Sequence, residues 1–519
     1  MRLTILTILA VLVNGETQWN QMARDKLKEA LKIHNNMNIA KNIILFIGDG
    51  MGISTVTAAR IYKGQRMGNL GEETVLSFEK FPHASISKVY SVDRQTPDSA
   101  ATATALMCGV KTNTGVLGLK ETVQKENCEA TAGQEVTSIL KHFIAAGRST
   151  GLVTTSRVTH ATPAAAYAHS ASRDWEGDSL MTSVTGGCKD IAYQMVYDNN
   201  DIQVVLGGGR GPFLPVNKPD PETGRVEWTH RRDGHDLIDI WKQIQTSKGR
   251  NHSYVWRKDQ FDSVNPDEKD YLLGLFDTSH IPYENDRDKS DAGDPSLAEM
   301  TSKAIKILQK NQDGYFLMVE GARIDHAHHD NEAKRSLVET LMFEEAVSEA
   351  LRLTSDEDTL IIVTADHSHP FNIAGYSYRG NDILGITNPY WDEPPRDGLP
   401  YTTLVYGNGP GRRPFQERAN YTGVDTTADD FKQEAAVPLS YETHSGEDVA
   451  IYSRGPMSHL LFGVQEQHYV AHVMQYAACV GDFKDDCERP EDIYSNGGYL
   501  LSVNILLYLV LYSMVSLTI

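Results

Sequence analysis

The chain has 519 residues, of which 40% are hydrophobic, so it can bury a large core and is much longer than one average domain. Its formal net charge of -20 at pH 7 argues against nucleic acid as a partner, because binding to a phosphate backbone relies on clustered Lys and Arg. An anionic ligand is also repelled by this average surface. Chemistry on such a ligand therefore requires strong local positive charge, which metal ions supply.

Both ends of the chain carry signals for secretion. Residues 1–15 combine a basic residue, a short apolar stretch and a small residue, as in a secretory signal peptide. Residues 496–519 begin with small residues and continue as an uncharged apolar tail, which predicts a glycolipid anchor attached at Asn496 after removal of the tail. A single-pass anchor is the alternative, although no basic residue follows the tail. Asn251 and Asn420 lie in glycosylation sequons, consistent with an extracellular location at the cell membrane.

Five cysteines fit an oxidising compartment. We predict the pairs Cys128–Cys188 and Cys479–Cys487, which leave Cys108 unpaired within a run of small residues. The sequence alone does not determine the connectivity.

The pattern of apolar residues predicts an α/β fold. Residues 17–38 are amphipathic and predict an N-terminal helix. Strand-length runs rich in Val, Ile and Leu follow, with helical patterns between them, at 42–47, 151–155, 202–206, 315–319 and 359–364. Continuous apolar strands that alternate with helices are typical of a parallel sheet covered on both faces. We therefore expect an open α/β sandwich with a central, mostly parallel sheet.

A change in composition predicts the domain organisation. Residues 384–442 are rich in Pro, Gly, Tyr and charged residues, and we interpret them as an inserted subdomain rather than a linker. The main α/β domain then comprises residues 16–383 and 443–495. The two processing segments flank it.

The stretch TPDSAATATALMCG at residues 96–109 allows two interpretations. Asp98 and Ser99 are both favoured at a helix N-cap, so capping alone would explain them. Alternatively, Ser99 is a nucleophilic hydroxyl at the positive end of a helix, where an anion is also stabilised. This stretch does not decide between the two.

Acidic residues end three of the apolar runs. Asp49 follows the first, Glu320 ends a second, and Asp366 with His367 follows a third. An acidic residue after one strand is usually a turn residue or a cap. The carboxyl ends of parallel strands, however, border the ligand crevice of an open sheet, so the three carboxylates are expected to converge. Together they predict a metal site.

The segment EGARIDHAHHD adds candidate zinc ligands. In a helix, Asp325 and His329 lie four residues apart and share a face. His326 and His328 would point elsewhere, and we interpret them as hydrogen-bonding residues. His444 in YETHSGEDVA is the best candidate to complete the site. Mixed imidazole and carboxylate ligands favour zinc.

The segment TTSRVTHATP predicts a second kind of site. It ends an apolar run with His160 and Thr162. A threonine hydroxyl together with the carboxylates of Asp49 and Glu320 makes a set of oxygen ligands suited to magnesium.

Together these motifs resemble the animal alkaline phosphatases. The resemblance extends over essentially the whole chain, through GDGMG, PDSAATATA, TTSRVTHATP, VEGARIDHAHHD, TADHSH and ETHSGEDVA. The combination is specific, although no single motif is. It implies a secreted, glycolipid-anchored homodimer that hydrolyses phosphate monoesters at alkaline pH through a phosphoserine intermediate.

Matched position by position, the resemblance also implies roles for individual residues. Ser99 is the nucleophile, Arg173 grips the phosphate, and His160 lies near the magnesium ion. The implied metal ligands are Asp325, His329 and His444 for one zinc ion, Asp49, Asp366, His367 and Ser99 for a second, and Asp49, Thr162 and Glu320 for magnesium.

A calcium ion is a further expectation, because vertebrate members of this family carry one. The matching positions are Glu222, the backbone of Phe276, Asp277 and Asp294. Asp277 stands where a longer Glu is usual, and an insertion separates it from Asp294. The alternative is a pair of solvated acidic loops.

The motifs leave two rival functions open. A related sulfatase or phosphodiesterase would share the metal scaffold, but the stretch after Ser99 lacks the Pro and Arg of the sulfatase motif. A catalytically silent surface receptor would keep the fold without the chemistry. It is disfavoured because all the proposed ligands, Ser99 and Arg173 are present together.

Overall fold

The computed structural model of this chain describes residues 19–388, 395–414 and 416–485. The predicted signal peptide at 1–15, the anchor signal at 496–519 with Asn496, and Cys487 lie outside the described residues. Two compact units are present, one ending at Asn36 and one beginning at Met37.

The first unit contains one described helix. Residues 19–30 form this helix, α1, and a turn follows at 31–32. The side chain of Gln21 donates a hydrogen bond to Asp25 at 2.8 Å, four residues away on the same helical face. None of the helices in the described part of the chain is both long enough and apolar enough to span a membrane.

The described residues of the second unit contain thirteen strands, which we number in chain order. They are β1 (Asn42–Gly48), β2 (His83–Lys88), β3 (Ser149–Arg157), β4 (Val204–Gly208), β5 (His252–Val255), β6 (Tyr271–Leu275), β7 (Tyr315–Gly321), β8 (Thr359–Ala365), β9 (Phe371–Ile373), β10 (Leu404–Gly409), β11 (Ala435–Pro438), β12 (Val449–Arg454) and β13 (Val464–Glu466).

The helices of the second unit continue the numbering from α1. They are α2 (Ile53–Arg66), α3 (Ser99–Cys108), α4 (Ile139–Ala145), α5 (Ala161–Ala164), α6 (Ile191–Tyr193), α7 (Leu237–Ser247), α8 (Lys258–Ser263), α9 (Leu297–Leu308), α10 (Arg323–His329), α11 (Ala333–Leu353) and α12 (Tyr469–Ala478).

Ten strands form one twisted sheet in the order β13-β2-β12-β8-β1-β7-β3-β4-β6-β5. The run from β8 to β5 is parallel throughout. Strand β12 alone runs antiparallel to its neighbours. The five apolar runs singled out in the sequence are β1, β3, β4, β7 and β8, so the predicted α/β sandwich with a mostly parallel sheet is confirmed.

Strand β1 lies at the centre of the sheet and is buried along its whole length. Ile43, Leu45 and Ile47 project into one hydrophobic core, which also includes residues of α3, α4 and α12. Ile44 and Phe46 project into a second core, which includes residues of α9 and α11. This alternation explains why the sequence of a doubly covered strand is continuously apolar.

A separate three-stranded sheet has the order β11-β10-β9. Strand β10 is parallel to β11 and antiparallel to β9. Strands β10 and β11 fall within residues 384–442, the segment that we interpret as an inserted subdomain.

One of the two predicted disulfides lies wholly within the described residues. Cys128 and Cys188 are bonded, as the sequence predicted, and they belong to a small cluster of apolar residues with Trp175. Cys108 is free and buried at the end of α3, also as predicted. Burial raises the pKa of the Cys108 thiol to about 12.

This environment predicts that Cys108 is chemically silent in the native protein. Because the thiolate is the reactive form, a buried thiol with a raised pKa should not be alkylated at pH 8 while the protein is folded. Mass spectrometry after iodoacetamide treatment should find one modified cysteine per chain in denaturant without reductant, and none without denaturant. Rapid alkylation of the folded protein would contradict this packing of α3.

Candidate active site

The acidic residues predicted at strand ends do converge in the structure. Strands β7, β1 and β8 are adjacent, and Ile47 of β1 lies opposite Glu320 on one side and Thr364 on the other. Asp49 and Asp366 therefore leave neighbouring strands at the same edge of the sheet. Asp49, Glu320 and Asp366 are all fully buried there.

Helix α3 brings Ser99 to this edge. Asp98 is the N-cap, and its carboxylate accepts a hydrogen bond from the backbone N–H of Ala101 at 3.2 Å. Ser99 is the first residue of the helix, and its Oγ lies 3.2 Å from Nε2 of His367. The two interpretations of this stretch are thus compatible, since Asp98 caps the helix while the Ser99 hydroxyl faces the site.

Asp325, His329 and His444 form the first group of potential metal ligands. His329 Nε2 lies 3.3 Å from Asp325 Oδ2, and His444 Nε2 lies 3.3 Å from Asp325 Oδ1. The two Nε2 atoms are 3.1 Å apart. Asp325 and His329 lie on one face of α10, as their four-residue spacing predicted.

Asp49, Asp366 and His367 form the second group, next to Ser99. His367 Nε2 lies 3.4 Å from Asp49 Oδ1 and 3.2 Å from Asp366 Oδ2. The Asp366 carboxylate also accepts hydrogen bonds from the backbone N–H of Gly50 at 3.1 Å and from the Thr102 hydroxyl at 3.1 Å.

Gly50 explains one part of the GDGMG motif. Its φ of 70° lies in the left-handed region, which L side chains rarely adopt. A Cβ atom at this position would also collide with the ring of His369. Glycine therefore lets the loop after β1 turn closely beneath the site.

Asp49, His160 and Glu320 form the third group, with one potential ligand atom from each lying within 4.8 Å of the others. Thr162 is buried on α5, which begins directly after His160. One oxygen of Glu320 accepts hydrogen bonds from Thr154 and Ser156. This orients the carboxylate toward Asp49.

The buried atoms of these groups fit metal ions. Among the described residues, neither carboxylate oxygen of Asp49, nor Oε1 of Glu320, nor the Thr162 hydroxyl has a hydrogen-bond partner. Burial, followed by the negative charges of Asp366, Asp325 and Glu320, raises the pKa of Asp49 well above its usual range. Burial likewise raises the pKa of Glu320 to about 7. Cations placed among these oxygens would relieve both the missing contacts and the repulsion.

Arg173 is a cationic side chain that contacts two residues of this site, Asp98 and His160. Its Nη1 donates to Asp98 Oδ2 at 3.0 Å, and its Nη2 lies 3.1 Å from His160 Nε2. Asp98 thus links the cap of α3 to the guanidinium. Because Ser99 directly follows Asp98 in the chain, this arrangement holds Arg173 beside Ser99.

Two residues of the site, His369 and Glu442, were not selected from the sequence. His369 Nε2 donates to Asp325 Oδ1 at 2.8 Å, and His369 Nδ1 bonds the carboxylate of Glu442. Although burial opposes it, these carboxylates raise the pKa of His369 to about 10. The second histidine of TADHSH was the available signal for His369. Glu442 carried no signal beyond its place two residues before His444.

His326 and His328 were interpreted as hydrogen-bonding residues, and the structure gives them such partners. His328 is fully buried, with Nδ1 2.8 Å from the Tyr406 hydroxyl and Nε2 2.7 Å from the Ser336 hydroxyl. His326 Nδ1 accepts from Arg323 Nη1 at 3.0 Å.

Of the four positions proposed for calcium, Phe276 and Asp277 directly follow β6. Phe276 is buried. Burial and then the nearby carboxylates of Glu222 and Asp277 raise the pKa of Asp294 to about 7. Glu222 also accepts a hydrogen bond from Arg210, at 2.5 Å. Two of these carboxylates thus act electrostatically on Asp294, and one of them, Glu222, is already bound to a guanidinium.

Comparison with known proteins decides the family. A family model described as alkaline phosphatase matches residues 40–480. The chain belongs to the alkaline phosphatase family. It is 50% identical over 475 residues to the tissue-nonspecific isozyme of Rattus norvegicus, covering 90% of each chain. It is 48% identical over 500 residues to the isozyme of Homo sapiens, covering 95% of this chain and 94% of that one.

Solved structures agree on the fold. The alkaline phosphatase of Thermus thermophilus has a TM-score of 0.61 at 24% identity, covering 85% of this chain and 92% of that one. The alkaline phosphatase of the Antarctic bacterium TAB5 has a TM-score of 0.57 at 22% identity, covering 86% and 100%. The resemblance found in the sequence is confirmed, and this alkaline phosphatase family member is a metal-dependent hydrolase of phosphate monoesters.

The concentration of buried carboxylates predicts that metal ions stabilise the fold. A ligand that binds only the native state adds about 2.7 kcal/mol per site when its free concentration is 100 times its Kd. Chelation should therefore lower the melting temperature in differential scanning calorimetry, and added zinc and magnesium should restore it. An unchanged melting curve, after elemental analysis has verified that the metals are gone, would contradict this account of the site.

Proposed function

We propose that this enzyme hydrolyses phosphate monoesters at alkaline pH through a phosphoserine intermediate on Ser99, with two zinc ions and one magnesium ion per chain. The observation that carries the proposal is the position of the Ser99 hydroxyl, 3.2 Å from His367 Nε2 and beside the buried carboxylates. The proposed ligands are Asp325, His329 and His444 for one zinc ion, Asp49, Asp366, His367 and Ser99 for the second, and Asp49, Thr162 and Glu320 for magnesium, with His160 near the magnesium ion.

The reaction has two steps at Ser99. Ser99 Oγ gives its proton to solvent and attacks phosphorus, the bond from phosphorus to the ester oxygen breaks, and the leaving alkoxide takes up a proton from solvent to become the alcohol. A water molecule then loses a proton and attacks phosphorus, the bond to Ser99 Oγ breaks, Oγ takes up a proton, and inorganic phosphate is released. A serine hydroxyl is a weak nucleophile at its free pKa, and alkaline pH favours its ionisation. When bound, the ions activate the attacking oxygen and stabilise the leaving oxygen.

Helix α3 and Arg173 prepare this site for an anion. Ser99 stands at the N-terminus of a ten-residue helix, where the dipole and free N–H groups favour negative charge. Arg173 would bind two phosphate oxygens with its planar guanidinium, a geometry that Lys cannot reproduce. Asp98 holds Arg173 through Nη1 and so limits its motion.

We also propose a calcium ion at Glu222, Phe276, Asp277 and Asp294. In support, burial and then the charges of Glu222 and Asp277 raise the pKa of Asp294 to about 7, and a bound cation would relieve that repulsion. Calcium binding would require Glu222 to rearrange from Arg210 or to share its oxygens with it.

The location and assembly of the enzyme are further proposals. We infer an extracellular, glycolipid-anchored homodimer whose polypeptide is glycosylated at Asn251 and Asn420. Both asparagines are exposed, which supports modification. We retain the interpretation of residues 16–383 and 443–495 as the catalytic domain and of 384–442 as an inserted subdomain.

Replacing the nucleophile tests the mechanism. Ser99→Ala should lower turnover of an aryl phosphate by at least about 1,000-fold, because no hydroxyl remains to accept the phosphoryl group. Zinc and magnesium content should stay close to that of the wild type, and acid quenching should trap no phosphoprotein.

Ser453→Ala is the matched control, since Ser453 is a buried serine of β12 that bonds Ser458 and lies outside the three ligand groups. It should keep normal turnover. Normal turnover in Ser99→Ala would show that Ser99 is not the nucleophile. Hydrolysis of an aryl sulfate in preference to the phosphate would favour the sulfatase alternative.

The anchor can be tested on intact cells. A phosphatidylinositol-specific phospholipase should release the activity into the medium, because a glycolipid links the chain to the membrane through its lipid alone. A chain truncated before residue 496 should be secreted into the medium even when no phospholipase is added. Activity that stays with the cells after lipase treatment would support the single-pass anchor instead.

A further inference from the structure

We propose that Glu442 is a positioning residue for the first ligand group, orienting Asp325 through the ring of His369 and His329 through its own main-chain carbonyl. The inference rests on the proposed function, because it assumes that Asp325, His329 and His444 hold a zinc ion. One buried residue would thus fix the orientation of two ligands, Asp325 and His329, that lie on another segment of the chain.

The side-chain route runs from Glu442 to Asp325. The Glu442 carboxylate accepts from His369 Nδ1, and His369 Nε2 donates to Asp325 Oδ1 at 2.8 Å. All three side chains are at least 95% buried. An acceptor at each nitrogen fixes the orientation of the His369 ring. The ring in turn fixes the position of Asp325 Oδ1. The other oxygen, Oδ2, faces His329 Nε2 at 3.3 Å.

The main-chain route runs from Glu442 to His329. The carbonyl oxygen of Glu442 accepts from His329 Nδ1, and the backbone N–H of Glu442 donates to the His329 carbonyl at 2.8 Å. With Nδ1 occupied as a donor, Nε2 of His329 is left as the nitrogen with a lone pair for a metal. His444, two residues further on, is oriented in the same way, with Nδ1 2.9 Å from the Pro97 carbonyl.

Stability alone gives a poor reason for this arrangement. A buried ion pair is often no more stabilising than apolar residues of similar volume, since desolvation offsets the attraction. The hydrogen bonding of the Glu442 carboxylate is also incomplete, because its Oε1 has no partner among the described residues. Partners that orient metal ligands explain a buried carboxylate at this position better, since changing them typically weakens metal binding.

The test compares zinc binding in Glu442→Gln and Glu434→Gln. Glu434 is the matched control, since it is also a buried glutamate with a basic partner, Arg418 at 3.1 Å, and it contacts none of the ligands. Full-length enzymes would be stripped of metal and titrated with zinc against a competing chelator. The visible absorption spectrum of the cobalt-substituted proteins would report the ligand geometry.

We expect Glu442→Gln to lower the affinity of one zinc site by about 10- to 100-fold and to shift the cobalt bands. Glu434→Gln should do neither, and both metal-free variants should melt close to the metal-free wild type. If Glu442→Gln does not fold, Glu442→Asp keeps the charge but shortens the reach, and should still lower the affinity and shift the bands.

Wild-type zinc affinity and an unchanged cobalt spectrum in a folded Glu442 variant would overturn this inference while leaving the proposed function intact. Equal losses in Glu442→Gln and Glu434→Gln would also overturn it, because they would reflect general loosening of the fold. A wild-type enzyme that binds no zinc would overturn the proposed function and this inference together.

Discussion

The mutual repulsion of buried carboxylates governs this molecule. Asp49, Glu320, Asp325 and Asp366 are almost completely removed from water at one edge of the sheet. Ionised groups in such surroundings are costly unless they are paired with cations, and the raised pKa of Asp49 and of Glu320 expresses that cost. In a chain with a net charge of -20, metal ions at this edge would both stabilise the fold and make the site attractive to a phosphate.

The parallel sheet makes this concentration of charge possible. Adjacent strands β7, β1 and β8 end at the same edge, so acidic residues distant in sequence meet without long loops. Continuous apolar packing on both faces of β1 holds them in place. Helix α3 then brings in Ser99, the proposed nucleophile, and its N-cap residue Asp98 also holds Arg173. One carboxylate, Asp98, therefore caps the helix and also orients the guanidinium proposed to bind phosphate.

The sequence predicted the scaffold well, because doubly covered strands are continuously apolar and their ends are marked by Asp49, Glu320 and Asp366. It also predicted the pairing of Asp325 with His329, which follows from helical periodicity. It did not single out His369 or Glu442, because their importance comes from contacts between segments about 40 to 120 residues apart. No local pattern encodes such contacts. Nor did the sequence predict that Arg210 is the ionic partner of Glu222.

The metal ions at this edge can be located and identified by anomalous scattering from crystals of the purified enzyme, measured on both sides of the zinc edge. We expect two zinc ions per chain, one bound by Asp325, His329 and His444 and one by Asp49, Asp366, His367 and Ser99, with Zn–N distances of about 2.0–2.1 Å. A lighter ion should lie among Asp49, Thr162 and Glu320. An active enzyme in which no cation is bound to the carboxylates at this edge would contradict the proposed metal sites.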